Sequence, residues 1–206
     1  MSSGTNHQNT KMSDVPLYSS RLIKNYIEYL NEHNPEVDIE FLINYAGITS
    51  YELEDGGHWF TQTQIDRFHE VMDRQTKDPN IARNVGRYST LSRAAIPIRQ
   101  YILGFMTPAI AYSVLGKLYP TVSRACTIHT KQMGSNTVEV MFLPNPGVEE
   151  KPFQCENRLG TLEAMAKYFA TKFASIEHPS CMHKGDKSCR YIISWEKTSS
   201  LIWKRL

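Results

Sequence analysis

The chain has 206 residues, 41% of them apolar, four cysteines and a formal net charge of +2, with no run of five or six like charges. A chain of this size and composition buries a full core without an external staple. The near balance of charge argues against nucleic acid or an anionic membrane surface as partner.

The N-terminus lacks a basic segment followed by an apolar one, so no secretory signal is read, and residues 1–17 form a polar, disordered leader. Leu22, Ile23, Tyr26, Ile27 and Leu30 recur at helical spacing behind Ser19 and Ser20, either of which caps, and predict an amphipathic helix over 20–32. Asp38 opens a short helix carrying Ile39, Leu42 and Ile43, closed by Gly47. Thr61 and Gln64 match a capping box ahead of the stripe Ile65, Phe68, Val71 and Met72. Asp78 and Pro79 begin a further helix through Ile81, Ala82 and Val85, which makes 18–88 a helical N-terminal region.

Residues 101–116 carry no charge, but the stretch is shorter than the roughly 20 residues that span a bilayer, and Pro108 interrupts it. A buried helical pair without membrane insertion is expected there, with Thr107 and Pro108 starting a mostly buried helix over 108–118. A cytoplasmic location follows, in which four cysteines are free thiols or metal ligands rather than disulfides.

After Pro120 the period changes from helical to alternating. Cys126 and Ile128 face one way and Thr127, His129 and Lys131 the other; "MGSN" turns the chain, and Val138, Val140 and Phe142 return on a second strand. Leu159, Leu162, Met165, Ala166, Phe169 and Phe173 fall on one face of a long helix over 157–174. A second hairpin follows, its turn "KGDKS" and its return strand carrying Cys189, Tyr191, Ile193 and Trp195 on one side. The predicted fold class is α+β: an antiparallel sheet of two hairpins with a long helix across it, over 89–196, preceded by the N-terminal helices. Residues 197–206 read as the start of a linker helix.

The sequence holds no Gly-rich dinucleotide turn, no phosphate-binding Gly-Lys-Ser/Thr loop, no His-Glu-x-x-His and no Gly-x-Ser-x-Gly. Cys126 and His129, three apart on a strand, point to opposite faces and make no nucleophile and base pair. "HPSCMHKGDKSCRY" is different. Cys155, His178, Cys181 and Cys189 come from separate elements, and three thiolates with one imidazole close a tetrahedron with no open position, which describes a structural zinc site. His183 competes with His178 for the imidazole place and Cys126 for a thiolate place. A Cys181–Cys189 disulfide and a plain hairpin with buried sulfur are the other readings. Cys155 reaches His178 only if it lies on an extended segment, within 143–156, that folds back along the sheet.

The segments "CENRLGTLEAMAKYF" and "HPSCMHKGDKSCRYIISW" resemble the 4-vinyl reductase domain family, over about residues 85–196. That family is related in fold to haem nitric-oxide-binding domains and to subunits of vesicle-tethering transport particles. The resemblance implies a zinc ion held by Cys155, His178, Cys181 and Cys189, with histidine where an acidic residue is usual. It implies a bacterial sensory module that binds a small apolar or aromatic molecule, forms a homodimer and signals to a downstream effector such as a histidine kinase. Leu159 and Ile176, beside the metal ligands, are the expected pocket lining. The haem-binding relatives use Tyr-x-Ser-x-Arg, whereas Tyr119 is followed by "PTVSR", two out of register, so haem is not expected. An adaptor of the tethering kind and a tetrapyrrole vinyl reductase subunit are the alternatives; this chain is not itself expected to be an enzyme.

Overall fold

The computed structural model describes residues 14–91 and 107–196. The leader up to residue 13, the stretch 92–106 and the expected linker helix from 197 lie outside the described residues.

The N-terminal half is helical, with one addition. β1 (Pro16–Ser19) pairs antiparallel with β2 (Trp59–Thr61). Two strands this short carry too little alternation to register as strands in sequence, and Leu17, assigned above to the leader, is buried in β1. α1 (Ser20–His33) starts where the Ser19 hydroxyl accepts the Arg21 amide. α2 (Ile39–Ala46) runs from the Asp38 carboxylate, which accepts the Phe41 amide, to Gly47 at φ 66°, a left-handed cap that favours glycine. α3 (Ser50–Glu54) follows. In α4 (Gln62–Thr76) the capping box forms as read: the Gln64 amide donates to Thr61 Oγ1, and the Gln64 side chain accepts from the Thr61 amide. α5 (Ile81–Leu91) completes this half.

The expected helix over 108–118 is broken at Val114 into α6 (Pro108–Ser113) and α7 (Leu115–Leu118). Tyr112 is fully buried, while Ile110 and Leu118 are exposed, so only the inner side of this pair is covered. A Cβ on Gly116 would stand 3.1 Å from the Ile128 carbonyl, which lets α7 lie close on the sheet.

That sheet contains β3 (Cys126–Gly134), β4 (Thr137–Pro144), β5 (Ser175–Ser180) and β6 (Cys189–Ser194), all antiparallel in the order β3-β4-β6-β5. Its inner face carries Val138, Val140, Phe142, Tyr191 and Ile193, the alternation expected from sequence, and α8 (Pro152–Met165) buries Leu159 and Leu162 in the same core. α8 starts and stops earlier than the 157–174 read from periodicity. Pro152 is pre-set for a first turn, and the Lys151 amide donates to the Gln154 side chain. At the other end a 3-10 turn (Ala166–Tyr168) closes it, and the Ala174 amide donates back to the Glu163 carbonyl, turning the chain into β5. Phe169 and Phe173 keep the helical spacing without being helical.

The halves meet where α5 crosses α8. A Cβ on Gly86 would lie 2.1 Å from the Asn157 carbonyl oxygen, and one on Gly160 would lie 1.9 Å from that of Arg83. The two backbones touch, and only glycine fits at either position. Glu163 of α8 accepts from both Arg83 and Arg87 of α5 beside this crossing.

Candidate metal centre

α8 carries the chain about 21 Å away at 1.5 Å per residue, and β5 brings it back about 20 Å at 3.3 Å per residue. Residues at the end of β5 therefore arrive beside the start of α8. This corrects the extended placement of Cys155: it sits in the first turn of α8, and no folding back of the preceding loop is needed.

His178 is on β5, Cys181 follows that strand, and Cys189 opens β6. One donor atom from each of Cys155, His178, Cys181 and Cys189 lies within 4.8 Å of all the others. Cys155 Sγ is 3.9 Å from both His178 Nε2 and Cys189 Sγ. A tetrahedral ion with thiolate bonds of about 2.3 Å has sulfur–sulfur edges of about 3.8 Å, so this donor set fits a zinc-sized ion. The three thiols are buried and His178 is half-buried. All four cysteines of the chain are free, so the Cys181–Cys189 disulfide is not formed. Of the competing ligands, the cluster takes in His178 and leaves out His183 and Cys126.

The Gly-Asp turn has a mechanical part in this. Gly185 adopts φ 96°, and the chain doubles back so that Asp186 accepts the Cys181 amide at 2.8 Å. The Lys184 and Asp186 amides in turn donate to the Cys181 carbonyl, and the Ser180 hydroxyl donates to the Ser188 carbonyl. Cys181 is thus fixed opposite Cys189. Around the donors, the Tyr191 hydroxyl lies 3.0 Å from Cys155 Sγ, and its ring stacks on His178 at 4.4 Å.

The hydrogen bond with Cys155 holds the Cys189 thiol down at about 4, aided by the Met182 amide and by His178 against the cost of burial. The same bond, with burial, pushes Cys155 up. Binding of a divalent cation would require these thiols to lose their protons. Burial lowers His183, whose Nε2 is enclosed without a partner.

A second buried polar group was missed in the sequence. The Arg158 guanidinium pairs with the fully buried Glu150 carboxylate, lies over the Phe142 ring at 4.7 Å and reaches within 3.5 Å of Cys126 Sγ. The signal was available: Arg158 interrupts the apolar stripe of Cys155, Leu159 and Leu162. The Cys126 thiol, pushed up mainly by burial, donates to Glu150, while His129 is exposed on the other face, as alternation required. Leu159 is buried on α8 and Ile176 half-buried on β5, both packed into the hydrophobic core. No helix among the described residues is long and apolar enough to cross a membrane.

No protein-family model and no curated protein matches the chain. Solved structures do. An H-NOX protein from S. oneidensis in an Fe(II) ligation state superposes with a TM-score of 0.67 at 13% identity, over 89% of this chain and 98% of that one. A structure from a study of haem distortion in the H-NOX family gives 0.66 at 14%, over 88% and 97%. The Fe(II) unliganded H-NOX protein from K. algicida gives 0.59 at 10%, over 89% and 99%. The fold is shared at identities this low.

This overturns the expectation against haem, because the shared fold is that of haem proteins and one motif out of register does not decide against it. The described residues were then matched to what a haem requires, an axial donor aimed into an enclosed, mainly apolar cavity. His129 is exposed, His33 stacks on Tyr29 at the surface and His58 pairs with Glu52. His69 is stacked on Phe153 beside a cleft of about 410 Å³ edged by Asp73, Lys77, Asp78 and Glu156. His178 belongs to the thiol cluster, and His183, with its Nε2 enclosed, lies outside it. Arg124, the arginine of "PTVSR", lies over the Trp59 ring at 3.7 Å. The described histidines thus lie at the surface, beside a polar-edged cleft or near the thiols, and the Cys and His cluster fits a metal ion.

Proposed function

We propose that this chain is a small-molecule sensory domain of the haem nitric-oxide-binding fold whose carboxy-terminal half is pinned by a structural zinc ion on Cys155, His178, Cys181 and Cys189. The observation that carries the metal assignment is the convergence of four donor atoms within 4.8 Å, from α8, β5, the following turn and β6. Three thiolates and an imidazole favour zinc over harder divalent ions. They close the coordination sphere, so the ion supplies cross-linking and no place for a substrate. The reading is that of a binding module rather than a catalyst.

The 4-vinyl reductase resemblance supports the finer points: a small apolar or aromatic ligand, a homodimer, and an effector such as a histidine kinase as output; Leu159 and Ile176, beside the metal ligands, are the proposed lining. Elemental analysis with native mass spectrometry tests the metal. One zinc per chain is expected, lost in Cys181→Ser, and a metal-free protein of unchanged stability would remove the assignment. The shared fold favours a second reading, haem-dependent sensing. Haemin added to the protein gives a sharp one-to-one Soret band if that reading holds and the spectrum of free haemin if it does not.

A further inference from the structure

Three thiolates, a neutral imidazole and a divalent ion carry one net negative charge. Where the donors are buried, that charge is costly unless a cation or hydrogen-bond donors stand close to it. Arg158 is the only buried lysine or arginine among the described residues. It follows Cys155 by three positions on α8, and its guanidinium lies on the ring of Phe142. Phe142 is directly opposite Cys189 in the β4–β6 register, and its ring meets that of Tyr191, whose hydroxyl touches Cys155 Sγ. The cation is therefore one aromatic layer away from the donors.

Its partners occupy only part of it. Glu150 and Cys126 take Nη2, while Nε and Nη1 are enclosed with no hydrogen-bond partner. Two unpaired donors on a buried guanidinium are a cost that a structural ion pair with Glu150 does not explain.

We infer that Arg158 is a positioning and charge-balancing residue of the metal centre, and that Glu150 moderates its charge, so the pair sets how tightly the ion is retained. The inference rests on the proposed zinc site. Removing Arg158 leaves the anionic centre beside an uncompensated Glu150 carboxylate, whereas removing the Glu150 charge frees the whole guanidinium charge to face the centre. The two changes act on metal affinity with opposite sign. A merely structural ion pair predicts the same sign for both.

The experiment is zinc affinity by competition with a chromophoric chelator, on the full chain, for wild type, Arg158→Met, Arg158→Lys and Glu150→Gln, with circular dichroism on each. Arg158→Met should bind zinc about 10- to 100-fold more weakly, the usual cost of losing a group that supports metal ligands. Arg158→Lys should return much of that loss, and Glu150→Gln should bind several-fold more tightly. If Arg158→Met does not fold, the sign of the Glu150→Gln change decides. A folded Arg158→Met with wild-type affinity, or weakening by both Arg158→Met and Glu150→Gln, overturns the inference and leaves the metal centre standing. A wild-type chain that takes up no zinc overturns both.

Discussion

The helical N-terminal half and the sheet-bearing C-terminal half bury different chemistry. In the first, Ile23, Leu30, Leu42, Phe60, Phe68 and Met72 make a mainly apolar interior, Ser19, Asp38, Thr49 and Thr61 cap helix ends, and the buried polar side chains are scattered ones such as Gln62, which accepts from Tyr18, and His69. In the second, α8, β5 and β6 bring together three buried thiols and a half-buried imidazole, beside a buried carboxylate paired with a guanidinium. Apolar burial stabilises a fold without further help; buried ligand-type groups destabilise it unless something binds them. The ligand-type cluster among the described residues lies in the second half, where a bound ion would offset its burial.

That contrast breaks first at the seam. Gly160→Ala forces the α5 and α8 backbones apart and should cost about 3 kcal/mol or more, read as a lower denaturant midpoint whether or not metal is present. Next, zinc held at about 100 times its dissociation constant adds about 2.7 kcal/mol. Chelation should remove that, with hydrogen-exchange protection falling in β5, β6 and the first turn of α8 and unchanged in α1 to α4. A uniform loss of protection would mean the halves are not distinct.

Glu163→Gln, which removes the charge shared by Arg83 and Arg87, should cost about 2 kcal/mol, hydrogen bonds to charged groups being worth about 1.5–3 and both arginines being partly exposed. Burial raises this carboxyl, but the bonds from Arg83 and Arg87 outweigh it and hold it below its usual 4.5. Its contribution is complete above that value and fades as the pH falls through the lower folded value. The stability difference between wild type and Glu163→Gln should therefore shrink in acid. Smallest, Thr61→Ala removes the cap of α4 for about 1 kcal/mol, with exchange quickening in α4 and the metal site untouched.

Much of this was readable in the residues. Short-range signals gave the helices, because Asp38 and Thr61 accept from amides three positions on and the Gly47 amide donates to carbonyls three and four positions back. Alternation gave both hairpins, and residue chemistry together with the family resemblance singled out the four metal-type residues, with His183 and Cys126 left as competitors. What failed was reach. Helical spacing continues through Phe169 and Phe173, but the Ala174 to Glu163 bond ends the helix, a fact of tertiary structure. Cys155 was displaced by the same error, since its place depends on where Pro152 starts α8. Arg158 in the apolar stripe of α8 was a local signal, but its pairing with Glu150 beside Phe142 and Cys126 is set by tertiary structure. The expectation against haem came from a single motif, whereas the shared fold is a property of the whole chain.

The claim that one closed ion centre joins α8 to the β5–β6 end of the sheet is tested most directly by zinc K-edge X-ray absorption on the purified protein. Three sulfurs at about 2.3 Å and one nitrogen at about 2.0–2.1 Å, with no bound water, is the expected first shell. A shell of oxygen and nitrogen alone, or no zinc edge after loading with zinc salt, would contradict it.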